Sequence, residues 1–175
     1  MKKRKSFTLI EILIVSVVIA ILTSVTVVFF RPNRERVDLV LSAHQLAQDI
    51  RSVEDMALSG KKLPSGNIPH GYGIRVYDKN DSNYPNKYII FGDIDGSNNY
   101  NSGDEMIRGP ISLGKGIEIY SLSPNSPLDI VVVPPSPDIY VNDSSNDGTI
   151  TLSLKSDTSE MIKIIVNSKG LIEIQ

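Results

Sequence analysis

The chain contains no cysteine and no tryptophan, and only two histidines, His44 and His70, among 175 residues. Without cysteine there is no disulfide framework, no CxxC redox centre and no thiolate zinc site. Two histidines leave little for a His-based metal centre: His70 stands in the turn context Pro69-His70-Gly71, and His44 lies beside the apolar stripe of a helix. Neither a GxSxG elbow nor an HExxH helix occurs, so no enzyme is expected. Aromatic residues are few, seven Tyr and four Phe, and the core must be built mainly from aliphatic side chains. Stability has to come from packing.

Charge is also missing from one long stretch, because Ile12 to Phe30 holds no ionisable residue. As a helix this run is ~28 Å long, close to the ~30 Å hydrocarbon thickness of a bilayer. It ends in Phe29-Phe30-Arg31-Pro32 without small residues for signal cleavage. A membrane anchor is therefore expected. The net charge of −2 hides an uneven distribution, with Lys2, Lys3, Arg4 and Lys5 clustered at the start and residues 67–175 carrying eight basic against fourteen acidic groups. The basic start sets the orientation, N-terminus in the cytoplasm and C-terminal part outside. So acidic a distal part repels phosphates, which argues against nucleic acid as a partner.

The residues Lys-Ser-Phe-Thr-Leu-Ile-Glu at positions 5–11 join the basic leader to the apolar run, with one acid near its start. This stretch resembles the prepilin-type signal of type IV pilins and type II secretion pseudopilins. The resemblance implies that a prepilin peptidase cuts between Ser6 and Phe7 and that the new amine of Phe7 is methylated. The family usually has Gly before the cut, where this chain has the similarly small Ser6. Glu11 admits two readings. Thr8-x-x-Glu11 is a capping box at the positive end of a helix dipole. The resemblance implies instead that Glu11 meets the free α-amino group of Phe7 on a neighbouring subunit during assembly.

Leu39, Ala43, Leu46, Ile50, Val53 and Ala57 recur at alternating spacings of four and three, an amphipathic helix stripe. Asp38, Ser42, Gln45, Asp49 and Ser52 read as its opposite, polar face, and Ser59-Gly60 as its end. Pro32 predicts a kink or short break between the apolar and amphipathic halves. Beyond Gly71 the period becomes two. Strands are predicted at 72–77, 87–91, 117–120, 128–133, 138–141, 149–154, 161–166 and 171–174. Asp147-Gly148 and Lys169-Gly170 predict hairpins, and Pro134, Pro135 and Pro137 an edge or a crossing between sheets. The fold class is α+β: a long N-terminal helix packed on a small, largely antiparallel β domain. The predicted organisation is a leader 1–6, a transmembrane and assembly helix 7–30, an amphipathic helix 31–60 and an extracytoplasmic domain 61–175. Leu46 to Arg51 with Ala57-Leu58, and Ile164 to Gly170, are similar to the helix end and closing hairpin of minor pseudopilins of the H type.

One loop carries candidate ligand chemistry. Counting Asp93 as position 1, Asp95, Ser97, Asn99, Asn101 and Asp104 follow the oxygen-ligand spacing of a calcium loop. Gly96 falls two places early, Asn98 stands where glycine is expected, Asp104 replaces a longer Glu, and no helix pair flanks the loop. The bland alternative is a solvated acidic hairpin rich in turn residues. Asn142 to Gly148, with only Asp143 and Asp147, reads as a turn. No cofactor is required, and calcium is the one small ligand the sequence suggests. The resemblance implies a structural, minor subunit of a filament in the cytoplasmic membrane, with other pilin or pseudopilin subunits, prepilin peptidase, an inner-membrane assembly platform and the bilayer as partners. The rival is a permanently anchored module that uses the acidic loop to hold calcium or a substrate.

Overall fold

The structure, a computed structural model, describes residues 8–135 and 138–175, and within them the side chains of 25–33 are not described. Helix α1 covers Leu9–Ser59. It starts at Thr8, whose Oγ1 accepts from the Glu11 amide at 3.4 Å while the Glu11 carboxylate accepts from the Thr8 amide at 3.5 Å. Both halves of the capping box are present. The break expected at Pro32 is absent, since the helix continues through it. A proline removes one intrahelical donor, and in so long a helix the bonds on either side carry the geometry across. Among the described residues no helix is long and apolar enough to cross a membrane, and the end of the predicted span lies among the undescribed side chains.

The chain divides into two compact units, Met1–Arg36 and Val37–Gln175. Among the described residues of the second unit nine strands form two antiparallel sheets. They are β1 (Gly71–Tyr77), β2 (Lys87–Asp93), β3 (Glu105–Ser112), β4 (Ile117–Ser123), β5 (Leu128–Val133), β6 (Asp138–Val141), β7 (Gly148–Leu154), β8 (Met161–Val166) and β9 (Ile172–Ile174). The first sheet has the order β3-β2-β1-β5-β6 and the second β4-β7-β8-β9. Inward-facing Tyr72, Ile74, Val76, Tyr88, Ile90, Leu128, Ile130 and Val132 of the first sheet share one buried core with Ile119, Ile150, Leu152 and Ile164 of the second. The helix stripe Leu39 to Ala57 completes it.

Three further features differ from what the sequence pattern predicts. Strand β3 was not predicted, because Gly109-Pro110 breaks its pattern; its place at the sheet edge tolerates proline. Asp147-Gly148 is not a hairpin, because β6 and β7 lie in different sheets. The Asp38-to-Ser52 stripe is not the opposite face, since at 3.6 residues per turn it lies only about 100° from the apolar one. Ser42 is buried there and accepts a bond from the Gly114 amide, and Asp49 accepts from Tyr88 Oη at 2.6 Å and from Arg108. Of the two alternatives at the prolines the structure has the edge: Pro134-Pro135 turns β5 into β6, the edge strand of the first sheet. Pro137 lies outside the described residues.

The outer face of the first sheet is also covered. Ile89, Phe91 and Val131 point away from the helix yet are fully buried. A side chain on Gly73 would lie 2.4 Å from the Phe91 ring, so the ring uses the space that glycine leaves. Tyr100 meets Phe91 edge-on at 5.0 Å. Arg75 and Asp129 sit directly opposite each other on β1 and β5, 3.4 Å apart. Burial pushes the Asp129 carboxyl up to about 6, outweighing the pull of Arg75 and of the Tyr100 amide, while Asp104 adds repulsion. A carboxyl raised above its ordinary 3.8 contributes stability that is complete below about pH 4 and lost as pH rises through about 6, at most ~3 kcal/mol. Asp129→Asn removes that term. Between pH 4 and pH 7 the melting temperature of the wild type should therefore fall relative to that of Asp129→Asn; parallel pH profiles would contradict the assignment.

Candidate functional site

Two regions of chemical interest stand in separate units. In the first, Ser6 and Phe7 lie outside the described residues. Glu11 is exposed and shares an apolar groove with Ile12, Val15, Ser16 and Ile19. The hydroxyls of Ser16, Thr23 and Ser24 donate back to the carbonyls of Leu13, Ile19 and Ile21 at 2.7–2.8 Å. Each of these hydroxyls is thereby satisfied within the helix itself.

The second region is the β2–β3 loop. Asp93 is fully buried at the end of β2. Its Oδ1 accepts from the amides of Gly96 and Ser97 at 2.9 and 3.2 Å, and its Oδ2 from Asn98 at 3.0 Å. Asp95 accepts from the Ser97 amide and from Asn101 Nδ2. Asp104 ties the two ends together by accepting from the Ile94 amide at 2.9 Å and the Asn101 amide at 2.8 Å. The carboxylates of Asp93, Asp95 and Asp104 offer oxygens within 4.8 Å of one another. Burial holds Asp93 above the usual carboxylate range, against the pull of its amide donors. Hydrogen bonds from Ser97 and Asn101 hold exposed Asp95 below it.

Of the six residues with calcium-loop spacing, three carboxylates, Ser97 and Asn101 form one network, with Asn101 Nδ2 also 3.0 Å from Ser97 Oγ. Asn99 takes a turn role instead, donating Nδ2 to the Ser97 carbonyl at 3.2 Å. Asn98 adopts φ 56°, the conformation for which glycine was expected. It also donates to Asp143 Oδ1 at 3.0 Å, bringing the second acidic stretch against the first.

Sequence reasoning missed how the loop is anchored. Tyr100 donates its amide to Asp129 Oδ2 at 3.3 Å and its carbonyl accepts from Arg75, whose guanidinium also lies 5.5 Å from the Tyr100 ring centre. The loop is thereby pinned at its midpoint to the outer face of the first sheet. Arg75 and Asp129 did leave a signal: each is the one charged residue of its strand.

A family model for the prokaryotic N-terminal methylation motif matches residues 1–27, which include Ser6, Phe7 and Glu11. No curated protein sequence matches the chain. The crystal structure of the type IV minor pilin FimU of Pseudomonas aeruginosa is similar to it, with a TM-score of 0.54 and 12% identity over 81% of this chain and 90% of that one. At that identity the likeness speaks for the fold. The chain thus joins an N-terminal methylation motif at residues 1–27 to a type IV pilin-like fold.

Proposed function

We propose that the chain is a minor structural subunit of a pilin-like filament or pseudopilus, serving type II secretion or a type IV pilus. Prepilin peptidase removes residues 1–6, and the hydrophobic N-terminal helix first holds the protein in the cytoplasmic membrane, then packs among other subunits. The observation that carries this reading is the surface of α1. From Leu9 to Leu22 every large apolar side chain is between 48% and 84% exposed, on all sides of the helix. At roughly 1 kcal/mol or more for each such side chain, leaving the run in water costs on the order of 10 kcal/mol. That rivals the whole stability of a typical domain, ~5–15 kcal/mol. Something must cover it, and lipid and neighbouring helices both meet the requirement.

A second reading, the anchored module that holds calcium, is favoured by the convergence of Asp93, Asp95 and Asp104. The donors are all hard oxygens, which suit calcium.

The mature N-terminus tests the first reading. In cells with an active prepilin peptidase, mass spectrometry should find the chain beginning at methylated Phe7, still membrane-bound and without Lys2 to Lys5. Full-length protein would count against it. Glu11→Gln should leave membrane insertion intact and reduce crosslinking to other subunits, whereas unchanged crosslinking would leave Glu11 as a helix cap alone. For the second reading, the folded protein should melt higher in millimolar calcium than in chelator, and Asp93→Ala with Asp95→Ala should erase the difference. Equal melting temperatures in calcium and chelator would leave a hydrogen-bonded turn.

A further inference from the structure

The pattern Asn-x-Ser or Asn-x-Thr, with x not proline, occurs twice in the chain, at Asn80-Asp81-Ser82 and at Asn142-Asp143-Ser144. On a surface loop outside the cytoplasm it is the acceptor pattern for an N-linked glycan. The structure treats the two differently. Asn142 is half-buried and its side chain is engaged at both ends, Oδ1 accepting from the Asp129 amide at 2.7 Å and Nδ2 donating to the Pro127 carbonyl at 3.5 Å. Ser144 is held as well, its amide and its carbonyl both paired with Val141. Asn80 and Ser82, by contrast, are exposed in the connection between β1 and β2. The base of that loop is clamped: the Asn86 amide donates to the Asp78 carbonyl at 3.1 Å, the Lys79 amide donates to the Ile119 carbonyl of β4 at 3.2 Å, and Asn86 Oδ1 accepts from the Ile119 amide at 2.8 Å. Asp81 Oδ1 accepts from the amides of Asn83 and Tyr84 at 2.9 and 2.7 Å, and the Tyr84 ring lies 5.3 Å from that of Tyr77. Between these fixed points the Asn80 side chain is lightly held. Its Nδ2 donates to Asp78 Oδ2 at 3.5 Å, the long limit of a hydrogen bond.

We propose that Asn80 is an N-glycosylation site that takes an oligosaccharide from a polyprenyl-pyrophosphate donor, while Asn142 is closed to the same reaction by its place in the fold. The proposal rests on the reading of the chain as a membrane-held subunit whose distal part lies outside the cytoplasm. In the transfer a bond forms between Asn80 Nδ2 and the anomeric carbon of the sugar, and the bond from that carbon to the pyrophosphate oxygen breaks. The polyprenyl pyrophosphate leaves with the electron pair, and the amide gives one proton to a general base of the transferase. No oxidant or reductant is needed. Ser82 offers its exposed hydroxyl two residues after the acceptor, and Asp78 stands two residues before it with a carboxylate that a cationic side chain of the transferase can grip. The clamped base lets the loop enter such an enzyme without disturbing β1 or β2, whereas Asn142 would first have to give up its bonds to the Asp129 amide and the Pro127 carbonyl.

Two settings test this with the full-length chain. In the first it is purified in detergent and incubated with a bacterial oligosaccharyltransferase and a polyprenyl-pyrophosphate-linked oligosaccharide. In the second it is produced in bacteria that carry both and that glycosylate an exported reporter protein. Peptide mass spectrometry should find the added glycan mass on Asn80 and none on Asn142 in both settings. Asn80→Gln and Ser82→Ala, both at exposed positions, should each abolish the modification and leave the melting temperature unchanged. No glycan on Asn80 in detergent, or a glycan there that survives Ser82→Ala, would overturn the site and leave the filament-subunit reading untouched. A glycan on Asn142 would overturn the claim that the fold closes that acceptor. Modification in detergent but not in the cells would place the loop on the cytoplasmic side and overturn the membrane orientation on which the proposal rests.

Discussion

Leu39, Ala43, Leu46, Ile50, Val53 and Ala57 are at most 2% exposed, and both sheets close on them. The helix stripe lies in one buried cluster with the inner faces of both sheets, so the helix serves as a shared centre of the second unit. The mixture of sizes matters. Alanines at 43, 47 and 57 let backbone approach, while Leu46 and Ile50 fill the space between the sheets. Polar bonds at the flank, from Tyr88 and Arg108 to Asp49 and from Gly114 to Ser42, fix the rotation of the helix about its axis. Apolar contact alone is non-directional and leaves that rotation loosely set.

A second, smaller layer depends on the first. With its inner face committed to the helix, the first sheet covers its outer face with its own loops: Tyr100 lies against Phe91 and Arg75, and Tyr84 lies 5.3 Å from Tyr77. This explains why a loop of such polarity is well organised. Its carboxylates accept main-chain amides that the sharp turns of the loop would otherwise leave without partners. The cluster of Asp93, Asp95 and Asp104 follows from that geometry, whether or not a cation joins it.

Most of the fold was legible because the second unit is built from two simple periods. Alternation located three of the strands and short apolar runs five more, and the three-four spacing identified the buried helix stripe residue by residue. The failures have particular causes. Strand β3 turns little toward the core and contains Gly109-Pro110, so it carries neither alternation nor strand propensity. Asp147-Gly148 is good turn chemistry, yet local chemistry does not state which sheet the next strand joins. At the loop, the spacing of Asp93, Asp95 and Asp104 foretold their convergence. Arg75, Asp129 and Asp143 arrive from β1, β5 and the β6–β7 turn, distances along the chain at which a single sequence carries no pairing information.

The order of the strands has a consequence in time. Strand β1 must wait for β5 and β4 for β7 before either sheet has its centre, and such long-range pairings slow folding because loop closure precedes any reward. A chain made from its N-terminus therefore displays the stripe of α1 well before the residues that bury it exist. During that interval the stripe and the apolar run before it are both uncovered hydrophobic surfaces. The period between synthesis of Ala57 and of the last strands is when this protein is most exposed to aggregation, and the six-residue Leu128–Val133 strand, by joining β1, shortens it for the first sheet.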